Sequence, residues 1–177
     1  MDCQSQSGNL CSDKPVKNSK LSLYPLLASL FGIGYIPFMP GTFGSLAAFG
    51  LYLLLPAALF VGGGYYLLLA GLLLVALLGV PICRKAEYSL GEDAGSIVLD
   101  ELCGYFVAVL FLPQSWMVGL YAFVLFRVFD IAKPFPIYRS QSIPKGWGVM
   151  IDDLLAGLYA NILLQILIRI YPRFFGL

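Results

Sequence analysis

From Leu21 to Cys83 the chain contains no Asp, Glu, Lys, Arg or His. An uncharged run of that length is more than three times the roughly 18 apolar residues that already point to burial in a bilayer. The rest of the composition agrees. Hydrophobic residues make up 59% of the 177 positions and charged residues 12%, against about 45–50% and about 25% in ordinary soluble domains. So few charges do not cover the surface of a water-soluble globule, and the sequence reads as an integral membrane protein.

Several classes of function fall away. A net charge of +1 with no basic stripe gives no case for nucleic acid, because nothing is available to neutralise a phosphate backbone. Histidine is absent, which removes Ser-His-Asp triads, His-ligated zinc and phosphohistidine chemistry. The four cysteines, Cys3, Cys11, Cys83 and Cys103, form no CxxC pair, and the latter two read as small buried hydrophobes. No obligate protein partner is evident.

Along the chain, residues 1–20 form a polar tail with no apolar core of a signal peptide, expected to be disordered. The remainder, 21–177, reads as a single membrane-embedded, all-α domain: a compact multihelical bundle with short helical hairpins. Prolines at 25, 37 and 40 suggest an interfacial or re-entrant start. Residues 42–61 and 65–83 read as two spans joined by Gly62-Gly63-Gly64, each long enough to cross a hydrocarbon core of about 30 Å. Arg84 and Lys85, with Lys14, Lys17 and Lys20, place both ends of this hairpin on the cytoplasmic face of the inner membrane. After a polar stretch at 86–101, the apolar arms 102–112 and 115–129 flank Pro113 as a second hairpin. A loop at 138–150 leads to Asp152-Asp153 and a last apolar helix, 154–168. That helix reaches only about 22 Å, so partial insertion is an alternative to spanning.

Carboxylates at membrane depth are expensive and usually functional. Here they recur at three apolar helix ends: Asp100-Glu101, Asp130 and Asp152-Asp153. The hairpin connectivity brings these ends to one face, where they would repel unless a cation sat among them. Oxygen ligands without His or thiolate favour a hard ion, Mg²⁺ or Mn²⁺; the plainer alternative is that the acids only solvate helix ends. Arg127, Asp130 and Lys133 fall at i, i+3 and i+6 along a helix, so a cation beside a metal-binding acid can hold a phosphate. An intrahelical ion pair is the competing reading. Pro40-Gly41-Thr42-Phe43-Gly44-Ser45 opens the first span, where Thr42 or Ser45 can cap the helix, the glycines allow close backbone approach, and the helix N-terminus can receive an anion. Simple capping explains the same residues. The small residues Ala156, Gly157, Ala160 and Asn161 suit tight helix packing.

Four segments together resemble the phosphatidylglycerophosphatase A family: PGTFGSL at 40–46, SIVLDELCG at 96–104, FRVFDIAKPFPI at 126–137 and GVMIDDLLAG at 148–157. They occur in the family's order, and DxxKPxPI with MIDDxxAG is a specific pair. The resemblance implies a Mg²⁺-dependent membrane phosphatase that converts phosphatidylglycerophosphate to phosphatidylglycerol and inorganic phosphate in phospholipid synthesis. It implies Asp100, Glu101, Asp130, Asp152 and Asp153 as metal residues, with one acid of each adjacent pair a direct ligand, since neighbours on a helix diverge by about 100°. Lys133 joins them as catalytic. Arg127, Lys133, Thr42 and Ser45 would bind phosphate, and Asp93 is a possible auxiliary ligand. Water activated by the ion is the expected nucleophile, an aspartyl-phosphate the alternative. Two other readings stay open: a phosphatase of another lipid phosphate, and a small transporter that binds cations through the acids.

Overall fold

The computed structural model describes residues 23–90 (backbone only at 88 and 89), 95–135, 137 and 147–176; the tail 1–20 and Asp93 lie outside the described residues. Helices joined by turns make up the regular structure of those residues, with no strand among them. The α-helices are α1 (Leu23–Ala28), α2 (Pro40–Leu54), α3 (Gly64–Leu90), α4 (Leu99–Val109), α5 (Trp116–Ala132) and α6 (Trp147–Ile170). The all-α bundle read from the sequence is the observed fold.

α4 is the axis of the bundle. It packs most extensively on α6 and also touches α2, α3 and α5, and Leu99, Asp100, Cys103, Gly104, Tyr105 and Phe106 on it are all buried. Two of the surrounding helices, Gly64–Glu87 and Trp147–Ile170, are long and apolar enough to cross a membrane. Both carry outward apolar faces: Leu158, Ile162, Ile166 and Ile170 repeat every fourth residue on the exposed side of α6. Surface of that kind is costly in water and normal against lipid.

The hairpin of α4 and α5 forms as expected, with Pro113 in its turn. Tyr52 of α2 ties that turn down: its hydroxyl accepts from the Ser115 N–H at 2.9 Å. Gln114 Nε2 in turn donates to the carbonyls of Tyr52 and Leu55, at 2.7 and 2.9 Å, at the end of α2. Cys83 and Cys103 are fully buried among apolar side chains, as expected.

Three boundaries differ from the sequence reading. The expected span 42–61 is broken, because α2 ends at Leu54 and Leu55 is extended (φ −68°, ψ 146°). Pro56 forces this by disfavouring helical geometry in the residue before it. The remaining 15 residues of α2 cover only about 22 Å. α3 does not stop at Cys83 but carries Arg84 and Lys85 within it, Pro81 included. The last helix begins at Trp147 rather than 154 and has 24 residues, about 36 Å, so it is long enough to span. Asp152 and Asp153 therefore sit in its second turn, not at its end.

The segment 23–39 makes no span. α1 packs on α3, and positive φ at Leu30, Phe31 and Gly32 turns the chain back. The Ala28 carbonyl accepts from the Val98 N–H at 2.9 Å, which fixes the start of α4.

Candidate active site

Two glycines let α4 and α6 touch backbone to backbone. A Cβ on Gly157 would run into the carbonyl oxygen of Gly104, and a Cβ on Gly104 would lie 2.7 Å from the Asp153 carbonyl oxygen. Small residues at a crossing permit this approach, and Ala156, Ala160 and Asn161 are buried beside it. Asn161 Nδ2 donates to the carbonyls of Ala108 and Leu110 at 3.0 and 2.8 Å, satisfying orphan acceptors at the end of α4.

The crossing sets Asp100 and Glu101, in the first turn of α4, against Asp153 of α6. One carboxylate oxygen from each of the three lies within 4.8 Å of the others. Asp100 and Asp153 are only 3% and 5% exposed. Among the described residues no lysine or arginine forms a salt bridge with any of the three, and Asp100 Oδ1 and Glu101 Oε2 are buried without a hydrogen-bond partner. Like charges gathered in this way repel. The arrangement fits a hard divalent cation: oxygen donors only, from separate side chains, with free buried oxygens.

The other two acids are neutralised. Asp130, in the last turn of α5, accepts from Arg127 Nη1 at 2.6 Å, and Asp152 accepts from Lys133 Nζ through Oδ2 at 2.6 Å, while its Oδ1 is buried without a partner. Asp130 also lies within hydrogen-bonding reach of Asp153, so the paired acids ring the unpaired three. Adjacent acids diverge as expected at 152–153, where one faces the cluster and its neighbour a lysine. They do not diverge at 100–101, where both acids bring an oxygen to the cluster.

Lys133 reaches Asp152 through an unusual backbone. It follows α5 in the left-handed region (φ 40°, ψ 59°) and its N–H donates to the Phe129 carbonyl at 2.9 Å. That conformation costs a non-glycine residue about 1–3 kcal/mol and clusters at functional positions; Pro134 contributes by excluding helical geometry at residue 133. Burial works against the Lys133 charge, but the hydrogen bond to Asp152 and the neighbouring acids outweigh it and hold its pKa above the usual lysine value. The stripe read at i, i+3, i+6 is thus split: Arg127 and Asp130 pair within the helix, while Lys133 leaves it and bridges to α6.

The start of α2 differs from its expected role. The helix begins at Pro40 with Met39 as its cap residue (φ 49°) and no side-chain cap, since proline at the first position presets helical φ. The N–H groups of Thr42 and Phe43 already donate to the Met39 carbonyl at 2.9 and 3.3 Å, which leaves little of the expected anion cradle. Ser45 Oγ donates to the Gly41 carbonyl at 2.8 Å and is fully buried, so its hydroxyl proton faces its own helix. Thr42 does reach the site region, with Oγ1 buried and unpartnered. Gly41, one of the glycines expected to allow close backbone approach at this helix start, is the closer neighbour: a Cβ there would strike Glu101 Oε1 and lie 3.2 Å from Arg127 Nη1. The signal was the Pro-Gly step itself, since a glycine opening a helix marks close backbone approach.

The sequence matches the profile of the family described as Phosphatidylglycerophosphatase A over residues 26–168, the stretch that contains every side chain of this site. The chain belongs to the phosphatidylglycerophosphatase A family. A relative named Phosphatidylglycerophosphatase A from Haemophilus influenzae is 43% identical over 157 residues, 86% of this chain and 94% of that protein. One of the same name from Escherichia coli is 37% identical over 150 residues, covering 81% and 84%. A relative from Bacteroides thetaiotaomicron, provisionally named a phosphatidylinositol-3-phosphatase, is 37% identical over 149 residues, covering 80% and 91%. No solved structure matches the chain. The resemblance read from four short segments thus extends over most of the described bundle, and the family is one of phosphatases.

Proposed function

We propose that the protein is a Mg²⁺-dependent lipid phosphatase that hydrolyses phosphatidylglycerophosphate to phosphatidylglycerol and inorganic phosphate. One observation carries the reading. In a chain of this family, three carboxylates without a cationic partner, buried Asp100 and Asp153 and half-buried Glu101, bring one oxygen each within 4.8 Å of the others, with two cations fixed beside them. Asp100, Glu101 and Asp153 would hold the ion, which supplies positive charge at the phosphoryl oxygens and acidifies water. Lys133 and Arg127 bind anionic oxygens of the substrate, each aimed by its carboxylate partner. Asp130 and Asp152 aim those cations through one oxygen each, and Asp152 Oδ1, buried without a partner, stays available to the ion. Water attacks phosphorus as the bond to the glycerol oxygen breaks, one water proton ending on that oxygen to give the phosphatidylglycerol hydroxyl as inorganic phosphate forms; trapping an aspartyl-phosphate during turnover would contradict this.

The reading extends to place and topology. The domain, 21–177, is multi-pass in the cytoplasmic membrane with the site on the cytoplasmic side. Gly79 of α3 abuts Leu99 of α4 and Met150 of α6, which sets Arg84 and Lys85 at the same end of the bundle as the acids, and the positive-inside tendency supports that end as the cytoplasmic one. A transporter would place its acids at the midplane, whereas Asp153 is only about 10 Å along α6 and the other two open α4. Specificity within lipid phosphates is the finer question, and the name of the Bacteroides relative keeps other headgroups in view. Purified protein in detergent with Mg²⁺ should release phosphate from phosphatidylglycerophosphate faster than from phosphatidic acid, phosphatidylinositol 3-phosphate or an isoprenoid pyrophosphate, and release should stop on chelation. No release, together with cation flux in vesicles, would establish the transporter instead.

A further inference from the structure

An open groove of about 530 Å³ runs along the outer face of α5, walled by Met39, Phe123, Val124, Val128 and Ile131. Its polar members are Thr42 and Arg127. The groove surface itself is almost wholly apolar, and behind it each of the two carries a buried atom with no hydrogen-bond partner, Thr42 Oγ1 and Arg127 Nε. Such atoms are costly unless a ligand completes them, and a guanidinium beside a hydroxyl suits anionic oxygens. The other edge of the same guanidinium faces the acids: Nη1 donates to Asp130 and stands at Gly41 beside Glu101. Arg127 therefore forms the wall between a hydrocarbon groove and the candidate metal centre. Lys133, the second cation, is bound to Asp152 and does not line the groove.

We propose that this groove seats an acyl chain of the lipid substrate, and that the two cations serve different phosphates. Arg127 with Thr42 holds the phosphodiester that joins the diacylglycerol to the headgroup. Lys133 holds the terminal phosphomonoester at the acids. The assignment rests on the lipid phosphatase reading and deepens it. The substrate carries two anionic centres separated by one glycerol unit, with hydrocarbon beyond the diester only. That order, from apolar groove to arginine to acids, is the order of the site. A lipid lacking the diester, such as phosphatidic acid, would leave Arg127 and Thr42 without their acceptor.

The test uses the full chain in detergent with Mg²⁺. Val128 is 52% exposed, so Val128→Trp narrows the groove without entering the core. Its discrimination in kcat/KM between diacyl phosphatidylglycerophosphate and the deacylated, water-soluble headgroup should fall at least ~10-fold. Arg127→Gln should lower the preference for phosphatidylglycerophosphate over phosphatidic acid by a similar factor. Equal losses on both substrates, or no loss, would overturn the assignment. An independent readout needs no turnover. Phosphatidylglycerol with a photoactivatable acyl chain should label residues 123–132 and Met39, and lose that labelling in Val128→Trp. Even labelling of all lipid-facing helices would overturn the groove. A wild-type protein that binds this probe in the groove yet releases no phosphate would sink the phosphatase reading alone.

Discussion

Gly157→Ala adds one methyl group at the place where the site is assembled. Its Cβ would collide with the Gly104 carbonyl oxygen and lie 3.0 Å from both Gly104 C and Val107 Cβ. Backbone cannot rotate away as a side chain does, so α4 must retreat from α6 by about 1 Å, at an overpacking cost of about 1–3 kcal/mol. Asp100 and Glu101 lie one turn before Gly104, and Asp153 one turn before Gly157, so the retreat acts directly on the space between them. One oxygen from each acid lies within 4.8 Å of the others, while oxygens sharing one Mg²⁺ at 2.0–2.1 Å approach to roughly 3 Å. Widening the space works against closure on the ion, and a 1 Å misplacement is worth about 100-fold in rate. The assay is phosphate release from phosphatidylglycerophosphate at saturating Mg²⁺, with gel filtration in detergent to confirm a folded chain. Gly71→Ala is the control, since a Cβ there meets nothing within 4 Å and alanine favours the helix. A Gly157→Ala protein with more than half the wild-type rate and the same Mg²⁺ dependence would refute the reasoning.

Asp130→Asn keeps the shape of the carboxylate but weakens the hold on Arg127 and changes the charge beside Asp153; activity should fall about 100-fold, with an unchanged elution profile. Lys133→Gln removes the cation from Asp152, and should raise KM for the lipid as well as lower kcat, measured over a substrate series in mixed micelles. Asn161→Leu strips two hydrogen bonds from buried carbonyls at the end of α4, at about 1–3 kcal/mol, and should lower the thermal midpoint in detergent while Mg²⁺ affinity stays near wild type.

Much of this was legible because charge is so scarce in the chain. Each acid in an apolar run stands out, so Asp100, Glu101, Asp130, Asp152 and Asp153 could be gathered before any coordinates. The turn at Pro113 and the buried character of Ala156, Gly157 and Ala160 followed from local rules. The division of labour among the acids did not. Whether Asp152 or Asp153 faces the cluster depends on where α6 starts, and an acid pair beside an apolar run reads as a helix end. Here the pair sits inside the helix, because α4 covers one member and Lys133 neutralises the other. The break of α2 at Pro56 was visible as a residue but masked by the uncharged run around it. The small-residue stripe marked Gly157 for tight packing, but its partner Gly104 lies distant in the chain and no local pattern names it.

The claim that Asp100, Glu101 and Asp153 form a divalent-cation site is open to a direct binding measurement. Mn²⁺ titrated into the purified protein in detergent and followed by electron paramagnetic resonance should show a site that Mg²⁺ displaces, and Asp153→Asn should weaken it at least ~10-fold. Undiminished Mn²⁺ binding in Asp153→Asn, or none in the wild-type protein, would contradict the account.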